Sequence, residues 1–222
     1  VDYTYDLIIK NKEEQNETLQ NSGRYIWGAV ARSGKSFMVG GLVAKIKPKI
    51  VILILGAINE TKSGFIDDLF KKYTDLKDYN IVDCQGNNWK NIIQNYNPSN
   101  NYVIVISQDS LRLKVKNLNR KIIIGETAEE AETLRPEEAE TLRPEEEAED
   151  IEGGGKNDID TALINFIRDR LKENEKIIFF DEVHQGSNIE SLQLDMIKWL
   201  YDNSDDKNLL LIMTTATYAK PL

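Results

Sequence analysis

The chain is poor in the residues that build cross-links and metal cages. It has one cysteine, Cys84, and one histidine, His184, in 222 residues. A single cysteine excludes an internal disulfide framework and fits a reducing, intracellular setting, cytoplasmic or nuclear, in a cell or a virus-infected one. One cysteine and one histidine also fall short of the four ligands that a structural zinc site takes. Long apolar runs are missing: the longest, Ile50–Ile58, is well short of the roughly 20 residues needed to span a bilayer. No signal peptide opens the chain, so no membrane partner is expected. Its first residue is Val1 rather than Met, which suggests a fragment or a processed product.

Excess positive charge is also lacking, and the net charge is −9. The distribution matters more than the total. Glu126 to Glu152 holds thirteen acidic residues and two arginines, a local charge of −11, so the remaining residues carry +2. A nearly neutral body permits a phosphate-tracking groove without demonstrating one. The acidic stretch contains a perfect octapeptide repeat, Ala131–Glu138 and Ala139–Glu146. Pro136 and Pro144 break any continuous helix there, apolar residues are sparse, and two copies are too few to stack as a solenoid. Residues 126–155 are therefore expected to form a disordered acidic insert closing on a Gly153-Gly154-Gly155 hinge. A passive duplicated loop is the favoured reading; competition with nucleic acid for a basic groove and protein docking are the alternatives.

Against this sparse background one phosphate-binding pattern stands out. Ala29-Val30-Ala31-Arg32-Ser33-Gly34-Lys35-Ser36 follows the apolar run Tyr25–Val30 and precedes Phe37–Lys45, which reads as a helix. A tight loop between strand and helix points successive backbone N–H groups at phosphate oxygens. Ala31, Arg32, Ser33, Gly34, Lys35 and Ser36 are the expected nucleotide contacts: Lys35 supplies a point charge for the β/γ-phosphates and Ser36 a hydroxyl for Mg²⁺. The positive end of the helix dipole adds to the attraction. The first position is Ala29 where the pattern commonly has glycine.

A phosphate loop needs a carboxylate partner, and Ile177-Ile178-Phe179-Phe180-Asp181-Glu182-Val183-His184 provides one at the end of a buried-strand run. Asp181 is placed to orient Mg²⁺, and Glu182 to polarise a water for in-line attack on the γ-phosphate. With Lys35 they form the expected catalytic set, with Ser36 and Asp181 as metal ligands and ATP and Mg²⁺ as cofactors.

The remainder reads as alternating β/α units, the pattern of a parallel sheet wrapped by helices on both faces. Strands are expected at Tyr25–Val30, Lys49–Leu55, Ile81–Asp83, Tyr102–Ser107, Lys176–Asp181 and Asn208–Thr214. Helices are expected at Lys35–Ile46, Lys62–Tyr73, Trp89–Tyr96, Gln108–Leu118, Asp158–Glu173 and Ile189–Asn203. Ile159, Leu163, Phe166, Ile167 and Leu171 form a core-facing stripe on one of them. Residues 1–23 read as a polar lead-in to a domain spanning 24–222.

Asp181-Glu182-Val183-His184 resembles the DExH box of superfamily-two helicases and translocases. Leu211-Ile212-Met213-Thr214-Thr215-Ala216-Thr217 resembles their motif III, Ile52–Ala57 with Asn59–Lys62 their motif Ia, and Val103–Leu111 a strand and turn further along. Arg32 and Thr217-Tyr218-Ala219-Lys220-Pro221 are similar to the branch near type III restriction-enzyme subunits and large-DNA-virus helicases. The resemblance spans 24–221 without the insert. It implies a RecA-like domain, the first half of a motor that closes on ATP with a second RecA-like domain or partner subunit. It also implies that the strand ending at Thr214 lies between the strands carrying the P-loop and Asp181. Thr61, Lys62 and Ser107 would contact the backbone of a DNA or RNA strand. His184, Thr215 and Thr217 would couple nucleotide state to that grip, and Gln15 would read adenine. Two other classes compete with the motor: a catalytically silent nucleotide-dependent docking module, and a P-loop enzyme of small molecules such as a kinase. A water-activating Glu182 disfavours the first, and motif III with His184 disfavours the second.

Overall fold

The computed structural model describes residues 1–14, 23–28, 34–56, 59–86, 89–115, 154–173, 176–181, 190–204 and 210–215. Six strands form one sheet: β1 (Gly23–Gly28), β2 (Ile50–Leu55), β3 (Tyr79–Asp83), β4 (Asn101–Ser107), β5 (Lys176–Phe180) and β6 (Leu210–Thr215). Every pairing is parallel, in the order β1-β6-β5-β2-β4-β3. The expected insertion of the last strand between the first and the Asp181 strand is therefore present. The chain is an α/β protein built on a parallel sheet.

The strands form where the sequence concentrates β-branched and aromatic residues. Ile50–Leu55 is buried at all six positions, which requires cover on both faces of the sheet. One face, carrying Ile52, Ile54, Ile104, Ile106, Ile178 and Phe180, packs against α4 (Trp89–Gln94), a helix α5 over 108–115, α6 (Gly154–Leu171) and α7 (Glu190–Asp202). Of the expected core-facing stripe of α6, Leu163, Phe166, Ile167 and Leu171 are buried, with Ile164 buried beside them, and the side chain of Ile159 lies outside the described residues. The other face, carrying Val51, Leu53, Val103, Val105, Ile177 and Phe179, packs against α1 (Asp2–Glu14), α2 (Lys35–Ile46) and the segment after α3 (Asn59–Phe65).

Three features depart from the sequence expectations. The lead-in begins as a helix: α1 seats Ile8 in the core, and its Thr4 hydroxyl accepts a 3.1 Å hydrogen bond from the buried Trp27 indole on β1. The expected helix 62–73 is instead α3 followed by one π-helical turn, Ile66–Phe70, in which the Lys71 N–H reaches back to Ile66 O. That turn buries Ile66, Leu69 and Phe70 together, and Leu69 comes so close to α2 that a Cβ at Gly40 would lie 2.6 Å from its methyl carbon. Finally, Gly154 and Gly155 open α6 rather than acting as a hinge ahead of it.

Because all strands run one way, their carboxyl ends share one edge, where open parallel sheets place their ligands. Gly28, Leu55, Asp83, Ser107, Phe180 and Thr215 end their strands there. Among the described residues, no helix is long and apolar enough to cross a membrane.

Candidate functional site at the carboxyl edge of the sheet

Gly34 caps the amino terminus of α2 with φ 81° and ψ 30°, in the left-handed region. A Cβ there would meet nothing nearer than Phe37 at 4.0 Å, so backbone conformation, not space, requires glycine. Directly after Gly34, α2 starts with Lys35 and Ser36 in its first turn. This is the end at which unpaired N–H groups and the helix dipole favour an anion. At the far end Lys47, also left-handed, returns its N–H to Val43 O and stops the helix before Pro48.

Asp181 follows β5 directly and is nearly buried, with its side chain 10 % exposed. Four contacts hold it. Its N–H donates to Ile54 O of β2 at 2.9 Å. Its carbonyl accepts from the Gln108 side-chain amide at 2.5 Å. Its Oδ1 accepts the Thr214 hydroxyl of β6 at 2.5 Å and lies 3.4 Å from Lys35 Nζ. The strand order makes this possible, since β6 and β2 flank β5 and the Phe180–Met213 pairing brings Thr214 beside Asp181. A carboxylate taken out of water requires such partners, and here a cation and a neutral donor share one oxygen.

Lys35 and Asp181, assigned from motifs 146 positions apart, thus meet at one point. Ser36 is adjacent to Lys35 in the same helical turn. A carboxylate and a hydroxyl are the hard oxygen donors that suit Mg²⁺, and the two elements that carry them converge at the sheet edge. Among the described residues, no group of three or more His, Cys, Asp or Glu side chains is placed to hold a metal ion.

The other expected contacts lie towards the opposite side of the sheet. Lys62 on α3 makes a 2.8 Å ion pair with Asp83 Oδ2 at the end of β3, with both side chains about one-fifth to one-quarter exposed. The other oxygen, Asp83 Oδ1, accepts the Gln85 N–H at 3.0 Å. Ser107 caps α5: its hydroxyl oxygen accepts the Ser110 N–H at 3.2 Å, as an N-cap does for the third helical residue. Beside Asp83 the Cys84 thiol is buried, and its pKa is pushed up to about 12, first by desolvation and then by the Asp83 charge, with Lys114 and Lys62 opposing.

Ala31, Arg32, Ser33, Gln15, Glu182, His184 and Thr217 lie outside the described residues, as do the side chains of Thr61 and Thr215. Thr215 ends β6 opposite Gly28, the last residue of β1. Three residues go beyond the motif assignments: Thr214 and Gln108, which hold Asp181, and Asp83, which holds Lys62. Thr214 stands one position before Thr215, the expected coupling residue, and only the pairing register says which threonine faces Asp181.

No family model, no curated protein and no solved structure matches this chain.

Proposed function

We propose that this chain is the ATP-binding and hydrolysing motor domain of a nucleic-acid helicase or translocase, RecA-like in fold, which works with a second RecA-like domain or a partner subunit. The observation that carries the reading is Asp181, held between Lys35 of the P-loop helix and Thr214 of the inserted strand. A Walker-type site needs a phosphate-binding lysine and a metal-orienting carboxylate at one point, and the inserted strand is what a motif III segment needs in order to sense them.

In this reading Lys35 and the amides of Ser33–Ser36 stabilise charge developing on the transferred phosphoryl group. Ser36 and Asp181 would hold Mg²⁺, which supplies neutralising charge to the phosphates. Thr214 and Gln108 fix Asp181 in orientation, and Glu182 takes the proton from the attacking water. Lys62, Thr61 and Ser107 would contact the sugar-phosphate backbone, which positions a strand without reading its sequence.

The test is hydrolysis of Mg-ATP by the whole chain with and without single-stranded DNA or RNA. Stimulation by either polymer supports the motor. ATP binding with no hydrolysis in any condition replaces it with the silent docking module, and hydrolysis indifferent to nucleic acid favours a small-molecule enzyme.

A further inference from the structure

A cavity of about 200 Å³ lies between α2 and the turn that follows the π-helical segment, and the contacts of Lys35 and Asp181 leave it unused. Gly40, Gly41 and Ala44 line its α2 side, and Phe37, Tyr73 and Asp75 border it. Glycine is unfavourable inside a helix, so two in succession point to a close approach. Gly40 is explained by Leu69; at Gly41 a Cβ would meet a Val1 methyl at 3.3 Å and narrow the cavity.

The two rings are unusually open for their size. Phe37 is 56 % exposed and Tyr73 42 %, and they meet edge to face with centroids 6.0 Å apart. Tyr73 stands on ordered backbone: its N–H donates to Leu69 O at 3.1 Å, and its carbonyl accepts the Leu76 N–H at 3.0 Å. Sites for drug-sized ligands run to roughly 300–1,000 Å³, so this cavity has room for one flat ring system and little more.

Its position says what that ring is attached to. Phe37 shares the first turn of α2 with Lys35 and Ser36, and a helix rises about 1.5 Å per residue, so Gly41 lies only about 9 Å along the axis from Lys35. A phosphate chain at the helix start and a ring in the cavity need a short linker between them, which is the architecture of a nucleotide. Asp75 is the one charged side chain lining the cavity. An ionised carboxylate only accepts hydrogen bonds. It therefore repels phosphate from this end and suits a base edge that carries an amine, whereas uracil presents two carbonyl oxygens about a single N–H.

We infer that this cavity seats the base of the bound nucleotide, stacked on Phe37 and Tyr73 with its amine edge towards Asp75. The inference rests on the proposed function for the phosphate end at Lys35, and it places base recognition on α2 and the turn after the π segment instead of on Gln15.

The experiment titrates the full chain by calorimetry with ATP, UTP and inorganic tripolyphosphate, each with Mg²⁺. Phe37→Ala removes a stacking ring, and Ala44→Leu fills the cavity while keeping both rings. Loss of base stacking on an aromatic side chain predicts about tenfold weaker ATP binding in each variant, with tripolyphosphate affinity within about twofold of the parent's. Asp75→Asn should narrow the preference for ATP over UTP, and Lys35→Ala should weaken ATP and tripolyphosphate alike. Phe37 is exposed, so a parental Tm is expected and confirms folding. Parental ATP affinity in both Phe37→Ala and Ala44→Leu, or equal losses for ATP and tripolyphosphate, overturns the inference and leaves the proposed function standing. Parental ATP affinity with weakened binding of a dT oligonucleotide overturns it too, by giving the cavity to a base of the bound strand. A parent that binds neither ATP nor tripolyphosphate overturns both.

Discussion

The hydrogen bond from Thr214 to Asp181 is the part of the site that can be weighed without any ligand. Thr214→Val removes the hydroxyl and keeps the branched shape, so neither a cavity nor a loss of strand preference accompanies the change. Thr214 is 2 % exposed and its acceptor is a carboxylate oxygen. Hydrogen bonds to charged groups contribute about 1.5–3 kcal/mol. The bond lost at Asp181 therefore predicts a destabilisation of about 2 kcal/mol, or about 4–8 °C in Tm for a chain of this size. Thr214→Ser makes the opposite trade: it keeps the hydroxyl and loses one buried methyl, about 0.8 kcal/mol. Thermal unfolding of the nucleotide-free protein should thus rank parent above Ser above Val. A double-mutant cycle with Asp181→Ala, which removes the acceptor, measures the pair, with an expected coupling of about 1–2 kcal/mol. Equal Tm values for Val and Ser, or a coupling near zero, would refute the idea that Thr214 secures Asp181.

Further outcomes follow from the same geometry. Lys35→Ala should weaken ATP binding at least about tenfold, or about 1.4 kcal/mol, by calorimetry. On sequence alone that substitution should leave the nucleotide-free protein's stability unchanged; the 3.4 Å approach to a nearly buried carboxylate predicts a loss of about 1 kcal/mol instead. Asp83→Asn should release Lys62 from its ion pair and tighten binding of single-stranded DNA or RNA about threefold at low salt, an advantage that fades as salt rises; a salt titration superimposable on the parent's would argue that Lys62 meets no phosphate. Burial raises the folded Cys84 pKa from 9.0 to about 12, so an unfolded chain releases that proton first. This contribution to stability is fully present below pH 9 and declines as pH rises towards about 12. Tyr79, raised in the same direction by burial, adds to the decline. Unfolding in denaturant between pH 8 and 11 should show the loss, and a thiol reagent at pH 8 should label Cys84 only after unfolding.

The readable part of the fold was the part dictated locally. The buried strands β2, β4 and β5 announce themselves as apolar runs, and Lys35–Ile46 is helical over the span its pattern predicts because Gly34 and Lys47 close it at both ends. Strand ends drifted by a residue or two: β1 starts at Gly23 rather than Tyr25, and β6 runs on to Thr215. The helix α1 escaped because it buries little, chiefly Thr4 and Ile8, within a polar sequence, so its docking on α2 and Trp27 decides it rather than its periodicity. The π turn escaped because 66–70 keeps a helical apolar spacing that does not reveal an i+5 hydrogen bond. In the site, Lys35 and Asp181 were legible from motifs, whereas their supports were not. Thr214 and Gln108 reach Asp181 across 33 and 73 residues, contacts set by strand order and register.

The mutual position of Lys35 and Asp181 bears on how such a site stays folded when empty and still binds a highly charged substrate. A buried cation and a buried carboxylate are each costly to leave without a partner. At 3.4 Å each serves as the other's counter-ion, and the Thr214 hydroxyl adds a neutral donor to the same carboxylate oxygen. Under the proposed function, Mg-ATP brings one anion and one cation, so each side chain exchanges an internal partner for an external one of the same sign. Each side chain keeps a partner of the same sign throughout, which is why breaking the pair from one side should be felt by the empty protein as well. Asp181→Asn then separates the two roles. The amide still accepts from Thr214, so the structural hydrogen bond remains in weaker form, while the counter-charge for Lys35 and the metal ligand are lost. The expected result is a modest fall in stability, about 1 kcal/mol, because the nearly buried Lys35 loses its counter-charge while the Thr214 hydrogen bond persists, together with a loss of magnesium-dependent ATP binding by calorimetry. Magnesium-dependent binding equal to the parent's would place the metal ligand elsewhere and detach Asp181 from the chemistry.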